Sequence, residues 1–133
     1  MKVAFADTFY FLALLNERDP AHRRAVAASR EPDRAFLTTE FVLLELADAL
    51  SKPPLRAEFK ALYDLIQRTK SFRVVPATTE LIQGGLAFYC ERPDKEWQLT
   101  DCISFVVMAN ERITDALTGD RHFEQAGFKA LLK

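Results

Sequence analysis

The stretch Val3-Ala4-Phe5-Ala6 is apolar at every position and stops abruptly at Asp7-Thr8. A run with no polar face suits a central strand of a parallel sheet covered on both sides. Parallel neighbours need helical crossovers, so this one stretch already favours an α/β chain. It also places Asp7 at the carboxyl end of the strand, the edge where open α/β sheets bind their ligands. The same Asp-Thr pair reads equally as the N-cap of a following helix, because both side chains accept hydrogen bonds from free N–H groups. From this stretch alone both roles stay open.

The remaining pattern keeps to that alternation. Strands are predicted at residues 35–38, 72–75 and within 113–118, with a final edge strand in 129–132. Helices are predicted at residues 8–15, 20–29, 39–50, 55–69, 78–91 and from 99 or 100 onward, with a short one after Asp120. The fold class expected is a three-layer α/β/α domain with a central, mainly parallel sheet of four to five strands. With 133 residues and no linker-like segment, residues 1–133 make a single domain. Gly84-Gly85 inside a helical pattern predicts a bend or a close helix contact.

Composition excludes several function classes. Eighteen Lys and Arg against nineteen Asp and Glu give a formal charge of -1, so no broad positive field advertises nucleic acid. Any such role must rest on local placement. Cys90 and Cys102 are too few for a disulfide framework, lack zinc-ligand spacing and read as buried thiols of a reducing, cytoplasmic compartment. Asp7 interrupts the early apolar run, so neither export nor membrane insertion is expected. His22 is assigned to the surface, and His122, with no second histidine near it, is not expected to bind metal. No G-x-x-x-x-G-K-S/T, G-x-G-x-x-G or G-x-S-x-G occurs, which removes the phosphate-loop, dinucleotide and hydrolase-elbow readings by motif.

Three further carboxylates stand in settings comparable to that of Asp7. Glu45 borders the apolar face formed by Val42, Leu43, Leu46, Ala49 and Leu50 on its helix, where partial desolvation is costly without a compensating partner. Asp101 lies in the first turn of a helix that is apolar on nearly every side, with Thr100 as its expected N-cap. Asp120 follows a short strand, as Asp7 does, whereas Asp115 precedes that strand's apolar part and is the weaker candidate. Four carboxylates at one sheet edge repel one another unless a cation joins them, and hard oxygen donors suit Mg²⁺ or Mn²⁺ rather than zinc. The chemistry that follows is metal-assisted phosphodiester hydrolysis.

Asp7-Thr8 after an apolar strand, Glu45 within Val42-Leu43-Leu44-Glu45-Leu46, Leu99-Thr100-Asp101-Cys102 opening an apolar helix, and Thr118-Gly119-Asp120-Arg121-His122-Phe123 together resemble the PIN-domain ribonucleases. Within them the VapC-type toxins of toxin–antitoxin pairs are most similar, over essentially the whole chain. The resemblance implies Asp7, Glu45, Asp101 and Asp120 as the metal-binding acidic set, an RNA substrate and a cognate antitoxin. Two departures, Gln98 where related sequences often carry serine and the Gly84-Gly85 pair, remove no acid. A catalytically silent PIN-like RNA- or protein-binding module is the main alternative, though a decayed domain would normally lack one of the acids. A haloacid-dehalogenase-like phosphatase is a lesser one, since the second Asp it expects two residues after the first is here Phe9. Phe41, Leu44, Leu55 and Phe59 are expected to form an exposed apolar groove for an amphipathic antitoxin helix or for a second copy in a homodimer.

Overall fold

The computed structural model describes residues 2–133. Strands β1 (Lys2–Ala6), β2 (Arg34–Thr39), β3 (Phe72–Val75), β4 (Asp115–Leu117) and β5 (Lys129–Ala130) form one wholly parallel sheet in the order β3-β2-β1-β4-β5. Helices α1 (Thr8–Leu15), α2 (His22–Ser29), α3 (Glu40–Ala49), α4 (Pro53–Arg68), α5 (Thr79–Glu91), α6 (Leu99–Asn110) and α7 (Arg121–Gln125) flank it as the outer layers of an α/β/α domain. The apolar run of β1 is central because it must be covered on every side. Ala4, Phe5 and Ala6 are indeed fully buried, while Val3, nearer the amino edge, is 36% exposed. The strand order grows outward from β1 first through β2 and β3 and then reverses to β4 and β5. That reversal opens a crevice at the carboxyl ends of β1 and β4.

The aromatic residues fix the elements around this crevice. The Phe105 ring of α6 meets Phe123 of α7 edge-on at 5.0 Å, and Phe123 lies 6.4 Å from Phe5 of β1. Burying a phenylalanine contributes roughly 1.5–3 kcal/mol, enough to dock a helix as short as α7. Across α6, the Gly84-Gly85 pair makes a close contact and leaves α5 uninterrupted. A Cβ on Gly85 would lie 2.4 Å from Ile103 Cγ1 and 3.1 Å from the Ile103 backbone nitrogen.

Local differences from the sequence reading have local causes. Helix α2 begins at His22 because Asp19 Oδ1 accepts from the Ala21 N–H at 2.8 Å and holds the preceding turn. His22 is not a free surface residue: its Nδ1 lies 2.8 Å from the Ala13 carbonyl, tying α2 to α1. Ala49 falls outside the buried face of α3, which comprises Val42, Leu43 and Leu46 and is continued by Leu50. Cys90 is exposed and only Cys102 is buried.

Candidate active site

At the end of β1 the chain turns into α1, with Asp7 in the N-cap position. Its side chain makes no capping hydrogen bond. Asp7 Oδ2 instead accepts from Thr118 Oγ1, 2.9 Å away and 111 residues distant in sequence. The capping role left open by the sequence is therefore not the one adopted, and Asp7 reaches across the crevice to the segment after β4. The hydroxyl of Thr8 turns the other way and donates to Glu45 Oε1 on α3. Thr39, whose Oγ1 accepts from Val42 N, starts α3 and so sets the phase that brings Glu45 toward the crevice.

The other two acids come from helix starts. Asp101 is the third residue of α6 and joins Gln98 in a capping box, its Oδ2 accepting from the Gln98 N–H at 3.3 Å. Thr100 is thus inside the helix rather than its cap, and its carbonyl accepts from Ser104 Oγ. Asp120 caps α7 through Oδ1, which accepts from the His122 N–H at 2.9 Å. His122 then points its ring nitrogen back: Nδ1 lies 3.1 Å from Asp101 Oδ2 and 3.5 Å from Asp120 Oδ1. Asp101, Asp120 and His122 offer ligand atoms within 4.8 Å of one another.

Electrostatics link all four acids. Burial pushes the Asp7 carboxyl from 3.8 up to about 7; the Thr118 and Thr8 donors oppose this, and the charges of Asp101 and Glu45 reinforce it. Burial also raises Asp101, against the pull of His122 and Gln98 and with the help of Asp120. Among the described residues no Lys or Arg pairs with any of the four, and His122 is the one basic partner. Asp115 stands apart, because its register with Ala4 and Lys129 puts it at the amino end of β4, away from the crevice.

The hydrogen bonds fall on one oxygen of each carboxylate: Asp7 Oδ2, Glu45 Oε1, Asp101 Oδ2 and Asp120 Oδ1. Among the described residues the second oxygen of each accepts from no side chain. Two contributors were not selected from the sequence. Thr118 and His122 lie two residues before and two residues after Asp120, and that symmetric Thr-x-Asp-x-His pattern is the signal that marks them.

The PIN domain profile matches residues 4–129, which span β1 through the start of β5 and every residue of this crevice. The chain belongs to the PIN domain family. Among solved structures, this PIN domain is similar to the Mycobacterium tuberculosis toxin VapC20, described as cleaving the Sarcin-Ricin loop. The identity is 26%, the TM-score 0.85, and the match covers 96% of this chain and 97% of the other. It also shares its fold with a chain of Rickettsia felis VapBC2 bound to a promoter DNA fragment (13% identity, TM-score 0.66, 94% and 93% covered). A third match is a chain of a Klebsiella pneumoniae toxin–antitoxin complex (17% identity, TM-score 0.60, 89% and 87% covered). No curated protein sequence matches the chain significantly.

Proposed function

We propose that this PIN domain is a metal-dependent endoribonuclease, the toxin of a toxin–antitoxin pair, acting in the cytoplasm on RNA phosphodiester bonds. The observation that carries this reading is the arrangement of Asp7, Glu45, Asp101 and Asp120 at one crevice, each held through one oxygen and with no side-chain donor among the described residues on the other. A hard divalent cation fits such a donor set. The oxygens are carboxylate, a protein donor orients each group, and no resident Lys or Arg among the described residues competes for the charge. Asp7, Asp101 and Asp120, with Glu45, would hold Mg²⁺ or Mn²⁺.

When bound, the ion supplies a water of lowered pKa and offsets the charge of the scissile phosphate. The chain's own residues do the rest. Thr118 and Thr8 fix the rotamers of Asp7 and Glu45, the capping box of α6 fixes Asp101, and the N-cap bond from the His122 N–H fixes Asp120. Cys102 is no rival nucleophile, since burial raises its thiol and the Asp101 charge raises it further. The phosphatase alternative loses its footing as well. Phe9, where a second Asp would be needed, packs against Gly119, with ring atoms 2.6–3.1 Å from where a Cβ there would stand. The first test is cleavage of RNA by the purified chain, expected with Mg²⁺ or Mn²⁺, lost in EDTA and restored by added ion. Undiminished cleavage in EDTA defeats the metal mechanism.

The antitoxin is assigned to the groove between α3 and α4. This groove, of about 310 Å³, is lined by Glu40, Leu43, Leu44, Ala47, Phe59, Tyr63 and Ala77, with Leu44 61% exposed. It keeps Leu44 and Phe59 of the expected set, but Phe41 does not line it, and Leu55 lines a separate hollow beside α1. The predicted substitution is accordingly Leu44→Glu. It should leave the mass of the free protein in light scattering unchanged and prevent co-purification with the antitoxin. A fall in mass with antitoxin binding retained would reassign the groove to a homodimer.

A further inference from the structure

We infer that His122 is a positioning residue of this site, holding the Asp101 and Asp120 carboxylates in register through an Nδ1–H donor. Nδ1 faces only carboxylate oxygens, Asp101 Oδ2 at 3.1 Å and Asp120 Oδ1 at 3.5 Å. Ionised carboxylates accept and cannot donate, so the nitrogen lying between them carries the proton, and the tautomer is set. The same residue's backbone N–H donates to Asp120 Oδ1 at 2.9 Å. One residue therefore supplies donors to two acids that come from different helices. It can do so because α7 is pinned on both sides of it. Phe123 is fully buried against Phe105 and Phe5, and Gln125 Oε1 accepts from Trp97 Nε1 at 3.0 Å. With its side chain only 18% exposed, the imidazole has little room to swing away. The two acids repel each other, and the backbone donors at Gln98 and His122 tie each one only to its own helix. The bond to His122 keeps the Asp101 oxygen that carries no hydrogen bond directed into the crevice.

This inference rests on the metal reading of the four acids, and the experiment separates the two. In the ¹⁵N-labelled chain at alkaline pH, His122 should show a protonated Nδ1 both without metal and with saturating Mg²⁺. Titration calorimetry with Mg²⁺ and with Mn²⁺ then compares the parent with two variants. His122→Asn puts an amide nitrogen where Nδ1 stood and should bind both ions within about threefold of the parent. His122→Gln puts its amide at the place of Nε2 and should weaken both ions by one common factor, roughly tenfold to a hundredfold, as loss of a ligand-orienting group does. Loss of the Nδ1 proton on Mg²⁺ binding, or a loss of Mn²⁺ affinity alone, would make His122 a ligand and overturn the inference. So would equal affinities in all three proteins, which make it a bystander. A parent chain that binds neither ion defeats the metal reading itself, whereas an unprotonated Nδ1 in the metal-free chain defeats only this one. If the Gln variant fails to fold, the tautomer and the Asn variant decide alone.

Discussion

Asp7→Asn is expected to reduce RNA cleavage to background while raising the melting temperature of the metal-free protein at neutral and alkaline pH. The substitution keeps the shape and an acceptor for the Thr118 hydroxyl, but it removes a buried charge that faces those of Asp101 and Glu45. Burial, with smaller contributions from those charges, has moved the Asp7 carboxyl from 3.8 to about 7. Between those values the folded chain holds a proton that the unfolded chain has released, so stability falls as pH rises through this window. At low pH both states are protonated and nothing is lost; above about 7 the full penalty is present. A shift of this size corresponds to something on the order of 4 kcal/mol. The asparagine recovers only part of it, because its own N–H₂ lacks an assured partner in the crevice. A net gain of about 1–2 kcal/mol, or several degrees in Tm, is the expected size. Melts of parent and variant in EDTA should nearly coincide at acid pH and separate as pH increases. A variant that melts well below the parent at alkaline pH would make Asp7 a structural residue.

Gly85→Val carries the largest expected loss of stability. The new Cβ meets Ile103 Cγ1 at 2.4 Å, which the side chain could relieve by moving, but it also meets the Ile103 nitrogen and Cα at 3.1 and 3.2 Å. Those atoms belong to the backbone of α6 and cannot yield without shifting the helix. Overpacking of this kind typically destabilises by about 1–3 kcal/mol, and the branched side chain should place the effect at or above the upper end. Because α6 also carries Asp101, metal affinity should fall along with stability. The neighbouring glycine is the internal control. A Cβ on Gly84 would stand 3.6 Å from Val106 Cγ1, an ordinary contact, so Gly84→Ala should gain up to about 1 kcal/mol of helix propensity. Thermal or urea melts of the two variants are expected to move in opposite directions. Movement in the same direction would show that the packing of α5 on α6 is not set by Gly85.

Elements that rest on local pattern could be read directly from the sequence. Four apolar residues ending in Asp7 gave the central strand, and the hydrophobic periodicity around Val42, Leu43 and Leu46 put Glu45 at the border of a buried face, where it stands half-buried. What escaped depends on partners far away in the chain. Nothing near Asp7 announces that its oxygen will be taken by Thr118 rather than by the first turn of α1. His122 looked inert because a metal-site argument searches for a second histidine, while its actual neighbours are two carboxylates brought in by α6 and α7. The cap of α6 fell on Gln98 rather than Thr100 because Gln98 and Asp101, three residues apart, close a capping box with Thr100 already inside the first turn. Ala49 lies on the predicted stripe yet outside the core, since α3 stops there before the turn into α4.

Trp97 has a further consequence, in optical terms. It is the single tryptophan of the chain, only 4% exposed, 5.3 Å from the Phe88 ring and 5.2 Å from Phe105, with the Arg92 guanidinium 5.5 Å above it. Its indole N–H is bonded to Gln125 on α7, the helix that Asp120 caps and that contains His122. Excited selectively over the three tyrosines, the protein's emission therefore comes from one indole seated between α6 and α7. Undocking α7 removes the Gln125 bond and lets water reach the ring, so the colour of that emission reports, without any label, whether the Asp120 side of the crevice is in place.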